Sequence, residues 1–124
     1  MHIQLETPHA STIQSYSDND IIIDRKNYNQ SVIVSSHVII PAWPIQSIES
    51  LSESLLEPII ELNPELIILG HSGPIQPLPE KLIAFLSSKR IGLESMSIGS
   101  ACRTFNVLIS EQRRVVAGLI LKHS

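Results

Sequence analysis

The chain has a single cysteine, Cys102, so no intrachain disulfide can form. A reducing, cytoplasmic setting is the natural expectation. Aromatic residues make up only 4% of the 124 residues, which leaves Ile, Leu and Val to fill the core. Charge is also sparse. Charged residues are 17% of the chain, the formal net charge is −3, and the basic residues occur in isolated pairs such as Lys89-Arg90 and Arg113-Arg114. A nucleic-acid-binding surface needs a clustered positive field, and none is visible. Long apolar runs are missing too. The longest, Leu66 to Leu69 and Val115 to Leu121, fall far short of a bilayer span of about 20 residues. The first residues, MHIQLETPHAS, lack the basic start and apolar stretch of a secretory signal, so no leader and no membrane insertion are expected.

What is present suits one folded domain over residues 1–124. The hydrophobic fraction of 43% supports a real core in a chain of this length. No internal repeat or charge block divides it. Thr12 to Tyr16 and Ile21 to Asp24 read as strands joined at Ser17-Asp18-Asn19-Asp20, a hairpin with turn-tolerant residues. Asn27 to Gln30 reads as a polar break. Ser31 to Ser35 and Val38 to Ile40 follow as short strands, and Pro41 and Pro44 bracket Trp43 and end regular structure.

The remainder alternates. Ile48, Leu51, Leu55, Ile59 and Leu62 recur at spacings of three and four and predict one helical stripe, with Pro58 expected to kink or split it. Leu66 to Leu69 is continuously apolar, as in a strand covered on both faces. Leu78, Leu82, Phe85 and Leu86 mark a second helix with Pro79 and Glu80 in its first turn. Ile91 to Met96 is a strand, Ala101 to Ile109 a third helix capped by Ser100, and Val115 to Leu121 the last strand. A β-rich N-terminal third followed by strand–helix–strand–helix–strand predicts an α/β fold with helices laid on the sheet.

Ligands in such sheets gather beyond the carboxyl ends of parallel strands. Two loops qualify: Gly70-His71-Ser72-Gly73, and Ser97 to Arg103 with Ser100 and Cys102 within it. Free backbone N–H groups, a helix start and Arg103 would favour a small anion. The competing reading makes the glycines simple turn residues and gives Arg103 a carboxylate partner. Cys102 has two readings as well: a thiol activated by the helix start and Arg103, or a small core residue. Asn106, four residues on, either lines the same pocket or satisfies a nearby backbone group. Gly-His-Ser-Gly is not the G-x-S-x-G nucleophile elbow, because its spacing differs and Pro74 to Pro79 precede the next helix. His2, His9, His37, His71 and His123 are scattered without metal-ligand spacing, so neither metal nor cofactor is expected. Trp43 is either an exposed anchor for a partner or a lid over the core. The low charge permits a homo-oligomer without locating one.

Several runs together resemble a known family: Ile68-Leu69-Gly70-x-x-Gly73, Ile91-Gly92-x-Glu94-x-Met96, and Ala101-Cys102-Arg103-Thr104-Phe105-Asn106-Val107-Leu108. Tyr28-x-x-Ser31, Trp43 and Glu111 to Ala117 also fit. The family comprises small bacterial and archaeal α/β proteins, largely of unknown function. It also includes a mitochondrial assembly factor for respiratory complex I and a protein linked to adipocyte differentiation. The resemblance implies a three-layer fold around a central mixed sheet, its last strand antiparallel to the rest. It implies no established enzymatic activity, and it favours a binding or assembly module with a protein partner. The alternative is a small enzyme or sensor taking an anionic ligand at the two loops. This chain has Ser97 where many relatives carry Asp, which removes a carboxylate from that position. It also has Gly-His-Ser-Gly where the family shows Gly-Thr-Gly.

Overall fold

The apolar runs of the sequence form the centre of a five-stranded sheet. The computed structural model describes residues 12–122, so His2, His9, His123 and the expectation of no leader lie outside the described residues. The elements in chain order are β1 (Ile13–Tyr16), β2 (Ile21–Ile23), β3 (Lys26–Tyr28), β4 (Val32–Val34), β5 (Ile39–Ile40), α1 (Glu53–Ile60), β6 (Leu66–His71), α2 (Glu80–Ser87), β7 (Gly92–Ser97), α3 (Ile98–Ser110) and β8 (Val115–Ile120). The main sheet has the order β5-β4-β8-β6-β7, and β1-β2-β3 form a separate antiparallel sheet.

Strands β6 and β8 are buried along nearly their whole length because both faces are covered. Side chains alternate between those faces. Ile68, Val115, Ala117 and Leu119 join Val32, Val34, the inner face of α3 and Ile13, Ile21 and Ile23 of the small sheet. Ile67, Leu69, Val116 and Ile120 join Ile33, Trp43 and the inner faces of α1 and α2. The result is three layers: α3 with the small sheet, the main sheet, and α1 with α2.

The last strand departs from the expected direction. β8 is antiparallel only to β4; it runs parallel to β6, which is itself parallel to β7. A helical crossover returns the chain to the end of the sheet where it began, so β7–α3–β8 yields a parallel strand.

Local expectations are corrected in three places. Residues 27–30 are not merely a break. Asp24 and Arg25 both take left-handed backbone (φ 50° and 71°) and form a two-residue turn that pairs β3 with β2. The helix expected over 48–62 divides, but not at Pro58. A 3-10 turn spans Ile48–Ser50, Leu51 is extended, and Ser52 caps α1 by accepting from the Leu55 N–H. Pro58 sits inside α1. Helix α3 starts at Ile98 with Ser97 as its cap, three residues before the expected start, so Gly99 and Ser100 belong to its first turn and not to a loop.

Candidate functional site

Strands β6 and β7 are paired in parallel from Leu66↔Gly92 to His71↔Ser97, so the two expected loops do leave the sheet side by side. They face opposite layers, however. Gly70 points toward α3. A Cβ built there would lie 2.7 Å from the Ala101 Cβ and 3.4 Å from the Ile98 Cα, so this glycine lets the start of α3 lie directly on β6. His71, one residue on, points to the α1 and α2 side.

The His71 ring is 2% exposed and held at both nitrogens. Nδ1 lies 3.0 Å from the Ser72 carbonyl oxygen, which only accepts, so Nδ1 carries the proton. In the neutral ring Nε2 then accepts from the Ser95 hydroxyl at 3.0 Å. Ser95 was not singled out from the sequence. Its signal lies in the strand register: Ser95 pairs with Leu69, and so is the diagonal neighbour of His71 on the same face.

His71 and Ser72 line a cleft of about 350 Å³ that also meets Gln46, Glu49, Gln76 and Lys122. Gln76 Nε2 donates to Glu49 Oε2 at 2.7 Å across it. Backbone hydrogen bonding at its own turn, then Gln76 and Ser47, holds the Glu49 carboxyl below the usual carboxylate range. The cleft thus presents an anion beside the Lys122 cation. Gly73 follows with φ +93° and open space about its Cα, a turn glycine.

None of Ser100, Cys102, Arg103 or Asn106 lines that cleft. Cys102 is 1% exposed in the core beneath α3. Burial pushes its thiol up to about 12, against the opposing pull of the Arg103 charge. An activated nucleophile needs the reverse shift. Asn106 makes a two-pronged contact with the backbone of β1: its Oδ1 accepts from the Ile13 N–H at 3.0 Å and its Nδ2 donates to the Ile13 carbonyl at 2.9 Å. Arg103 finds a phenol, not a carboxylate. Its Nη1 donates to the Tyr16 hydroxyl at 2.6 Å, its Nη2 reaches the Ser100 hydroxyl at 3.5 Å, and the guanidinium lies 6.0 Å from the Tyr16 ring centre. Gly99 leaves room for that pair, since a Cβ there would come within 2.9 Å of the Tyr16 ring.

Trp43 is no exposed anchor. It is 3% exposed, its Nε1 donates to the Leu55 carbonyl at 2.9 Å, and its ring lies on Gly118. The indole fills a concave seat that only a glycine in β8 provides. Among the described residues no group of three or more His, Cys, Asp or Glu side chains comes together to hold a metal ion. No helix among them is long and apolar enough to cross a membrane.

Comparison with known proteins agrees with this architecture. The family model described as a protein of unknown function (DUF498/DUF598) matches residues 13–120. The chain is 28% identical over 114 residues to the NADH dehydrogenase [ubiquinone] 1 alpha subcomplex assembly factor 3 of Xenopus tropicalis. That match takes in 87% of this chain but only 60% of the relative's length. It is 30% identical to the 13 kDa major membrane protein of Francisella tularensis subsp. holarctica, covering 82% of this chain and 84% of that one. A crystal structure of a Bordetella parapertussis protein superposes with a TM-score of 0.85 at 25% identity, covering 94% of this chain and 100% of that one. The chain belongs to this family of proteins of unknown function (DUF498/DUF598).

Proposed function

We propose that the chain is a binding or assembly module that engages a protein partner, in the manner named for its Xenopus relative, an assembly factor of NADH dehydrogenase. The observation that carries this reading is that similarity, which extends over most of the chain. The surface that suits it lies on α3 and β1. Tyr16 is 41% exposed and Val107 55% exposed. Arg103 stands one helical turn before Val107 and is held against Tyr16. Tyr and Arg are the side chains that most often anchor protein interfaces. A cytoplasmic, reducing setting fits the free thiol of Cys102.

The small-anion alternative has less support. Arg103 is turned to Tyr16 and away from the cleft, and the cleft itself contains Glu49.

The test is affinity purification from the native host with the wild-type chain and with Val107→Asp and Arg103→Ala. The expected result is a stoichiometric partner that both substitutions release while melting temperature stays nearly constant, since both sites are exposed. Recovery of the chain alone, or of a partner indifferent to both substitutions, would overturn the reading.

A further inference from the structure

A groove larger than the His71 cleft lies at the other end of the parallel strands, where β6 and β8 begin. It encloses about 650 Å³, within the range of small-molecule sites, about 300–1,000 Å³. Val115 and Val116 both line it. Successive strand residues point to opposite faces, so the groove runs across the end of the sheet. Its apolar wall is drawn from both cores: Ile109 from the α3 side, Leu62 from the α1 side. Val38 and Pro64 extend that wall.

Arg113, Arg114 and His37 line its polar lip, and among the described residues no Asp or Glu does. Glu65, just outside, takes Arg113 at 3.0 Å and the Arg114 backbone N–H at 3.1 Å. Among the described residues the Arg114 guanidinium is hydrogen-bonded only to a neutral group, the Asn63 carbonyl, at 2.8 Å. Glu65 and, more weakly, Glu111 offset the charge of Arg113, which leaves the Arg114 guanidinium as the lip cation without a carboxylate hydrogen bond. Three carbonyls near the end of α3 are occupied by the backbone. Glu111, Gln112 and Arg113 donate backbone N–H groups to Val107, Ile109 and Leu108 in a Schellman-type closure, with Gln112 in left-handed backbone.

We propose that this groove binds a monoanionic amphiphile, a medium-chain carboxylate whose apolar body lies between Ile109 and Leu62 and whose head meets the open fork of Arg114. The planar guanidinium matches a carboxylate in two parallel hydrogen bonds. One open guanidinium fork suits one carboxylate head. The groove is separate from the Tyr16–Arg103 face, so its occupancy does not depend on the proposed partner surface.

Sodium octanoate is the probe, titrated calorimetrically beside acetate, which has the head alone, and octanol, which has the body alone. Octanoate is expected to bind at least tenfold more tightly than either. Arg114→Gln should weaken octanoate about tenfold while leaving octanol unchanged, and Arg114→Lys should recover part of the loss. Amide resonances of Ser36, Val38 and Ser110 should shift on titration. A second arm uses phosphatidylcholine vesicles carrying myristate, which presents the same carboxylate from a membrane. Pelleting with them that octanoate blocks identifies a membrane lipid as the source, and octanoate binding without pelleting identifies a free acid. Octanoate no tighter than octanol, or binding indifferent to Arg114→Gln, would overturn the proposal.

Discussion

On one face of the main sheet a helix backbone comes down onto a glycine; on the other, an indole ring does. Gly70 in β6 admits the first turn of α3, and Gly118 in the neighbouring strand β8 admits Trp43. The two residues lie one register step apart, Gly70 opposite Leu119 and Gly118 opposite Leu69. The faces they serve differ in how they are held. The α3 face is closed by one thirteen-residue helix and a small sheet pinned to it by Asn106. The other is closed by two eight-residue helices and a proline-bracketed loop whose one large side chain reaches inward. A sheet with two covered faces needs no symmetry of means; it needs only that each face meet something of the right depth.

The largest effects should come from the indole face. Trp43→Ala empties a volume that the rest of the loop cannot fill, and it leaves the Leu55 carbonyl without the indole donor. A loss of about 3–5 kcal/mol is expected in denaturant unfolding. The comparison sharpens with Gly118→Ala, whose Cβ would sit 2.7 Å and 2.9 Å from two ring carbons of Trp43. It should cost about 1–3 kcal/mol alone and almost nothing in the Trp43→Ala background. Full additivity of the two substitutions would show that Trp43 and Gly118 are not each other's seat.

The helix face should respond differently to the matching substitution. A Cβ at Gly70 would meet the Ala101 Cβ at 2.7 Å and the Leu119 Cδ2 at 3.0 Å. The Ala101 Cβ is fixed to a helix and has no rotamer to change, so Gly70→Ala should cost about 1–3 kcal/mol by lifting the start of α3. Ala101→Gly in the same molecule removes the opposing carbon and should restore part of the loss. It will not restore all of it, because a glycine within a helix costs about 0.5–1 kcal/mol itself. Unfolding free energies of the two single variants and the double variant measure the coupling. If Ala101→Gly gives no relief, the close approach is not what Gly70 provides.

How much of this was legible in the sequence follows the same division. Leu66 to Leu69 and Val115 to Leu121 announced two-sided burial because every position was apolar, and the sheet centre lies there. The α3 stripe of Ala101, Phe105 and Ile109 was legible by period, but its first turn was not. Ile98-Gly99-Ser100, capped by Ser97, carries no stripe of its own, and its helical turn lies on Gly70. Strand β3 was hidden because an Asp24-Arg25 turn lacks the glycine that usually marks such a hairpin. The candidate site was the least legible part. Neighbouring loops were correctly brought together by parallel pairing, yet single-residue alternation along β6 sent Gly70 and His71 to opposite layers. The contacts that define each environment, His71 with Ser95 and Arg103 with Tyr16, join residues 24 and 87 positions apart. No local pattern carries pairs of that separation.

The smallest expected effect tests whether the α3 face is held separately from the rest. Asn106 presents to Ile13 what a neighbouring strand would present, one acceptor and one donor, at 3.0 and 2.9 Å. Ile13 is 5% exposed, so its backbone groups have little water to replace those partners. Asn106→Ala should therefore cost about 1–2 kcal/mol, more than an exposed hydrogen bond and less than a core cavity. Its distribution matters more than its size. Among the described residues strand β1 pairs only with β2, and its sheet makes no ladder to the main one. Loss of the Asn106 contact should raise amide exchange in β1 and β2 beyond the change in global stability, while β6 and β8 slow or quicken only with the global term. Asn106→Asp keeps the acceptor for the Ile13 N–H but sets an anionic oxygen against the Ile13 carbonyl, so it should fall at or below the alanine variant. Equal loss of protection in β1 and β8 would mean that the small sheet and the main sheet open as one unit, and that the face closed by α3 is no less unified than the face closed by Trp43.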